Sequence, residues 1–270
     1  MNEEQASAQE LPAAPGETVA LPPPPALPTG GDVLIAGGIP LATFAAIFLA
    51  ERALSHGGGK EAAAKALGIT FVVVAIVVQN LFLLLCVFLA ARRKRRNIRE
   101  LLGLVPAKWW HVLGAVVLGL LAGPILSWAV ELLQVALGYA RHTPGAEILA
   151  PNGFSWSAFI VMVAAAGVLA PITEEVLFRG IVFGWLRRKI SLFPAVLLSA
   201  AAFGAAHFQP DPGEAIAHMT YAFGVGLFLA YIYQRAGSLW ASIAMHVTIN
   251  TIAVSYVYLS LREGAQLDQL

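Results

Sequence analysis

Three short patterns hold the residues of this chain best suited to chemistry: Glu174, Glu175 and Arg179 in EEVLFR, Phe203 and His207 in FGAAH, and His246 and Asn250 in HVTIN. Each lies in a stretch that is otherwise apolar. A charge near the centre of a bilayer costs from about 2.5 to more than about 10 kcal/mol, so an ionisable group placed there is a functional candidate by default. On an α-helix residues four apart share a face. Glu175 and Arg179 can therefore pair, while Glu174, rotated by about 100°, is expected to point elsewhere. The same spacing puts Phe203 with His207, and His246 with Asn250.

A carboxylate in a low-dielectric site suits a general base that takes a proton from water. His207 could hold and polarise that water. His246 and Asn250 could donate hydrogen bonds to the oxygen that turns negative when water adds to a carbonyl. Such a set suffices for amide hydrolysis without a covalent intermediate. There is no GxSxG and no cysteine placed with a histidine, so a covalent nucleophile is not evident.

The elements that must position these residues are transmembrane helices. Of the 270 residues, 58% are hydrophobic and 12% charged, and the mean hydropathy is +0.73. These values describe a polytopic membrane protein better than a soluble domain. The expected fold is all-α, a bundle of about seven or eight spans. Candidate spans run at about 33–50, 67–91, 110–130, 155–186, 193–208, 217–234 and 238–260. The span from 155 contains Pro171, which removes a helical hydrogen bond and should kink the helix just before the two glutamates. The stretch 193–208 is short for a crossing and is expected to be tilted, re-entrant or followed by a loop that dips inward.

Depth ties the motifs together. Glu174 lies thirteen residues before Arg187 and His207 thirteen after Pro194. A hairpin turning between them brings both to about 20 Å from the turn at about 1.5 Å per residue. His246, nine residues past Gly237, lies about 13 Å along its own helix. One shared cavity inside the bilayer follows.

Residues 1–31 are rich in Pro and Ala, carry acids and lack Lys and Arg, the composition of a disordered tail. Without a basic n-region, a cleaved signal peptide is not expected and the first span should remain as an anchor. Residues 32–150 are expected to form amino-terminal transmembrane helices, 151–262 a core of four helices holding all three motifs, and 263–270 a short tail. If the amino terminus is cytoplasmic, eleven Lys and Arg fall on the inside, dominated by RRKRRNIR at 92–99. Five fall outside: Arg52, Lys60, Lys65, Arg141 and Arg262. That bias sets the orientation. Trp109, Trp110 and Trp185 suit an interfacial belt. Membrane lipid is the expected surroundings, and nucleic acid is not an expected partner. Gln79, Asn80, Glu131 and Gln134 read as interhelical hydrogen-bond partners. His56, His111, His142 and His218 read as solvated or interfacial. Cys86, the single cysteine, reads as a small buried hydrophobe.

EEVLFR, FGAAH and HVTIN resemble, in order, the motifs EExxxR, FxxxH and HxxxN of the CAAX-protease and bacteriocin-processing family (CPBP, or Abi) of intramembrane endopeptidases. The resemblance covers roughly residues 155–255. It implies that Glu174 activates water with His207, that His246 and Asn250 stabilise the oxyanion, and that Glu175, Arg179 and Phe203 support the site. It implies a peptide or protein substrate with a membrane anchor, in the bacterial inner membrane. No cofactor is expected. HExxH is absent, and zinc on Glu174, His207 and His246 is the less favoured alternative, because Asn250 and a paired Arg179 suit an oxyanion site better than a coordination shell. Two other classes stay open: an ion-coupled transporter, which also uses membrane carboxylates and histidines, and a non-catalytic bacteriocin-immunity or scaffold protein.

Overall fold

A computed structural model describes residues 28–38, 60–93, 97–139, 149–150, 152–209 and 211–265. Among them every regular element is a helix. The helices are α1 (Gly30–Val33), α2 (Gly68–Arg92), α3 (Ile98–Leu101), α4 (Trp109–Ala136), α5 (Trp156–Leu186), α6 (Leu192–Ala205), α7 (Pro212–Ala236) and α8 (Leu239–Arg262). Five of them, α2, α4, α5, α7 and α8, are long and apolar enough to cross a membrane, and the chain is a polytopic helical membrane bundle. They coincide with five of the seven candidate spans. Most of the 33–50 candidate lies outside the described residues, as do residues 1–27 of the expected tail, Lys94 to Arg96, His56 and His142. The 193–208 candidate is a helix of only 14 residues.

Local chemistry marks the helix ends. Asp211 caps α7 by accepting from the Glu214 amide at 3.0 Å, with Pro212 in the first turn. Gly237, at φ 62°, closes the same helix in the left-handed conformation. Ser238 then caps α8 and donates from Oγ to the Val105 carbonyl at 2.6 Å.

Packing relies on small residues, which let helix backbones approach where lipid supplies no hydrophobic drive. A Cβ on Gly204 of α6 would lie 2.8 Å from the Met219 carbonyl oxygen of α7, and one on Gly226 of α7 would lie 3.0 Å from Ala200 Cα. Helix α8 packs on α4, on the first part of α5 and on α7, and Gly119 of α4 faces the Met245 carbonyl in the same manner. Large apolar side chains of α2 and α4, among them Val78, Leu85, Leu113 and Leu121, are exposed, as lipid-facing positions should be. Trp109 and Trp110 stand exposed at the start of α4, with Lys108 Nζ over the Trp110 ring. Trp156 and Arg262 form a similar pair at the opposite end.

Candidate active site

Helix α5 carries the two glutamates on a backbone of varying pitch. Val163–Leu169 and Val176–Phe183 are π-helical, and Ala170–Glu175 between them is α-helical with Pro171 in its first turn. Proline withholds one amide from the ladder, and π turns are found disproportionately at functional sites.

Glu175 and Arg179 are fully buried and paired, with Arg179 Nη1 donating to Glu175 Oε1 at 2.7 Å. Arg179 Nη2 donates to the Gly226 carbonyl of α7 at 3.2 Å. Its guanidinium also lies 4.7 Å from the Phe203 ring centre of α6, a cation–π contact. Phe203 is buried and touches Phe178, His207 and His246 edge-on. One arginine thus ties three helices to one carboxylate.

His246 of α8 joins the two glutamates. Its Nδ1 stands 2.9 Å from Glu175 Oε1 and its Nε2 3.7 Å from Glu174 Oε2. Glu174 therefore does not point away from its neighbour's partners, as an ideal α-helical rotation suggested; both carboxyls reach one imidazole from opposite sides. Glu174 keeps about 25% of its side chain exposed, and its Oε2 is buried without a hydrogen-bond partner. Glu175 Oε2 and Arg179 Nε are likewise buried without partners.

His207 lies two residues beyond the end of α6 rather than within it. Its Nδ1 is 2.8 Å from the Phe203 carbonyl. A carbonyl only accepts, so Nδ1 carries the proton, and in the neutral ring Nε2 is left as an acceptor. Asn250 of α8 donates from Nδ2 to the Ala166 carbonyl of α5 at 3.1 Å, which leaves its second N–H and its Oδ1 uncommitted. His207, His246, Asn250 and Phe203 line one cavity of about 200 Å³. No direct hydrogen bond joins Glu174 to His207 among the described residues; both stand near His246, which lines the cavity with His207 and lies 3.7 Å from Glu174.

Residues 156–252 match the family model of the Rce1-like type II CAAX prenyl endopeptidases. This segment belongs to the CAAX-protease and bacteriocin-processing family. A Bacillus subtilis (strain 168) protein named "Putative membrane peptidase YdiL" is 32% identical to the chain over 94 residues, 35% of this chain and 36% of that protein. The match thus spans about a third of that relative's length. No solved structure matches the chain. The CPBP segment contains all three motifs and every residue that lines the cavity except Leu149, Ala253 and Val254.

Two parts of this CPBP site were not anticipated. His218 and Tyr221 of α7 line the cavity with Ala222 and Val225, so His218 is not simply interfacial. The spacing i, i+3, i+4, i+7 is the pattern of one helix face and was available as a signal. The Gly226 carbonyl that receives Arg179 has no sequence signature, because any residue supplies a carbonyl and only the packing selects this one. Among the described residues no three His, Cys, Asp or Glu side chains are arranged to hold a metal ion.

Proposed function

We propose that the protein is an intramembrane endopeptidase that hydrolyses a peptide bond of a membrane-associated or lipid-anchored polypeptide. It does so in the bacterial inner membrane, with its amino terminus in the cytoplasm. The observation that carries this reading is the convergence of Glu174, Glu175 and His246 beside a cavity lined by His207 and Asn250.

In the proposed reaction a water at the edge of the cavity donates a hydrogen bond to His207 Nε2 and gives up its other proton to Glu174. The resulting hydroxide adds to the scissile carbonyl. The contacts of His246 support a donor role for it, since each ring nitrogen faces a carboxyl oxygen, Nδ1 that of Glu175 at 2.9 Å and Nε2 that of Glu174 at 3.7 Å. Nδ1–H then points at Glu175 and Nε2–H is available to the oxyanion beside the free N–H of Asn250. Collapse of the tetrahedral intermediate expels the amine, which takes its proton from Glu174. The water is consumed, with OH on the acyl product and H on the amine. Glu175 and Arg179 hold the His246 ring in place.

The test compares purified wild type, Glu174→Gln and His207→Ala on a candidate membrane-anchored peptide, with and without chelator. Cleavage by wild type alone, unaffected by chelator, is expected. Full activity in both variants would sink the mechanism, and chelator-sensitive activity restored by zinc would replace it with a metal-dependent one. An immunity phenotype that survives Glu174→Ala would identify a scaffold, and activity that requires an ion gradient would identify a transporter.

A further inference from the structure

The ends of the bundle differ in charge, and the cavity lies toward one of them. The turn after α5, the start of α4 and the α7–α8 turn gather at the same end. Arg187 Nε donates to Gln234 Oε1, the Leu239 amide donates to the Gly103 carbonyl at 2.9 Å, and Ser238 reaches Val105. That end collects Arg92, Arg99, Lys108, Arg187, Arg188, Lys189 and Arg235. At the other end Gln134 donates to the Gly213 carbonyl and Tyr258 to the Leu149 carbonyl. It carries Asp211, Glu214, Glu263 and Arg262, and the helical stretch before Gly68, which stands against Asn152, adds Lys60 and Lys65, so three basic residues among the described ones stand here against seven at the other end.

Helix α6 starts at the basic end and stops after 14 residues. At about 1.5 Å per residue this is roughly 21 Å of a hydrocarbon core about 30 Å thick. The cavity is lined by Phe203 near the end of this helix and by His207 just beyond it. His246, seven residues after Leu239, is about 10 Å from the basic end of its helix. The lining then continues through Asn250 and Val254 to Leu149 and His218, and His218 is six residues from the start of α7 at the opposite end. Among the described residues no Lys, Arg, Asp or Glu lines it, and Glu174 meets it only through His246. Its volume of about 200 Å³ is below the roughly 300–1,000 Å³ of sites that enclose compact ligands, and suits a few side chains of an extended strand.

Because basic loops stay in the cytoplasm, we propose that the cavity opens on the extracytoplasmic side. Its substrate is then a membrane-anchored polypeptide that presents an extended, uncharged stretch at the outer leaflet, rather than a lipidated protein displayed to the cytoplasm. The substrate part of this proposal rests on the peptidase reading, whereas the direction of the opening does not.

The test is cysteine accessibility in a Cys86→Ala background, since Cys86 is the single cysteine and is buried. Phe208→Cys reports the exposed turn after α6, Ala253→Cys the cavity wall and Lys189→Cys the exposed basic turn. A membrane-impermeant maleimide on intact cells is expected to label Phe208→Cys and Ala253→Cys at least about tenfold more than Lys189→Cys, which reacts only after permeabilisation. Labelling of Lys189→Cys in intact cells, or of Ala253→Cys only after permeabilisation, would overturn the proposal. If Ala253→Cys does not accumulate, His218→Cys reports the same wall. Labelling needs no turnover, so its outcome stands apart from any failure to find peptidase activity.

Discussion

Glu174 and Glu175 are adjacent in the chain and face the same imidazole, yet their surroundings are opposite. Around Glu175 there is no solvent, and one oxygen accepts from both Arg179 and His246. Around Glu174 there is partial exposure, a histidine nitrogen just beyond hydrogen-bond reach and no partner for Oε2. A buried carboxylate that has its cation positions other groups, because moving it would strand a charge. A carboxylate left short of partners next to a cavity can accept a proton from something that enters. In the proposed reaction this difference gives Glu175 a positioning role and Glu174 the role of base, and it can be broken from either side.

The largest effect is expected at Glu174. Glu174→Gln keeps the shape and removes the proposed base, so kcat/KM should fall by about 10²–10⁴-fold, the usual range for loss of a general base. The detergent Tm should stay within about 2 °C of wild type, because no hydrogen bond of the folded state is lost. A variant that keeps its activity, or one that unfolds, would erase the contrast with Glu175.

Arg179→Met should do the reverse. It leaves Glu175 as an uncompensated buried charge, at a cost of about 3–5 kcal/mol, read as a drop in Tm in detergent. Glu175→Gln combined with Arg179→Met should recover a substantial part of that loss, since the stranded charge is gone. If the double variant is no more stable than Arg179→Met alone, the pair acts through packing around Phe203 and not through charge.

Much of this contrast was legible in the sequence because it depends on spacing. Four residues from Glu175 to Arg179 was enough to predict their pairing, and hydropathy was enough to predict a membrane bundle with α6 as a short element. Two things were not legible. Glu174 and Glu175 lie in an α-helical segment and so differ by about 100°, but the two nitrogens of His246 face opposite ways and take one carboxyl each, so a helix face drawn for backbone positions did not show that both side chains reach the same ring. The acceptors of Arg179 and Asn250 are backbone carbonyls, Gly226 and Ala166, and a carbonyl carries no residue identity to read. Asn80, by contrast, was expected to bond between helices and accepts from Thr173 of α5.

Gly226→Ala tests whether the knot around Glu175 depends on close helix contact. The added methyl would meet Ala200 of α6 at about 3.0–3.2 Å, and overpacking of this kind costs about 1–3 kcal/mol. The shift should also move the carbonyl that receives Arg179. Lower Tm with an activity loss smaller than that of Glu174→Gln is expected, and an unchanged Tm would mean that α6 and α7 separate freely.

Asn80→Ala should have the smallest effect and shows how far the site extends. Asn80 is buried on α2, which lies outside the matched 156–252 segment, and its amide meets the hydroxyl of Thr173, the residue before Glu174. Thr173 also bonds to the Ala170 and Leu169 carbonyls of its own helix, so it keeps partners when Asn80 is removed. The loss should be about 1 kcal/mol, that of one ordinary hydrogen bond, with cleavage within about threefold of wild type. A loss of activity approaching that of Glu174→Gln, at unchanged Tm, would mean that α2 sets the position of the catalytic carboxylate, and the reactive half of the comparison would then extend beyond the four helices that carry the motifs.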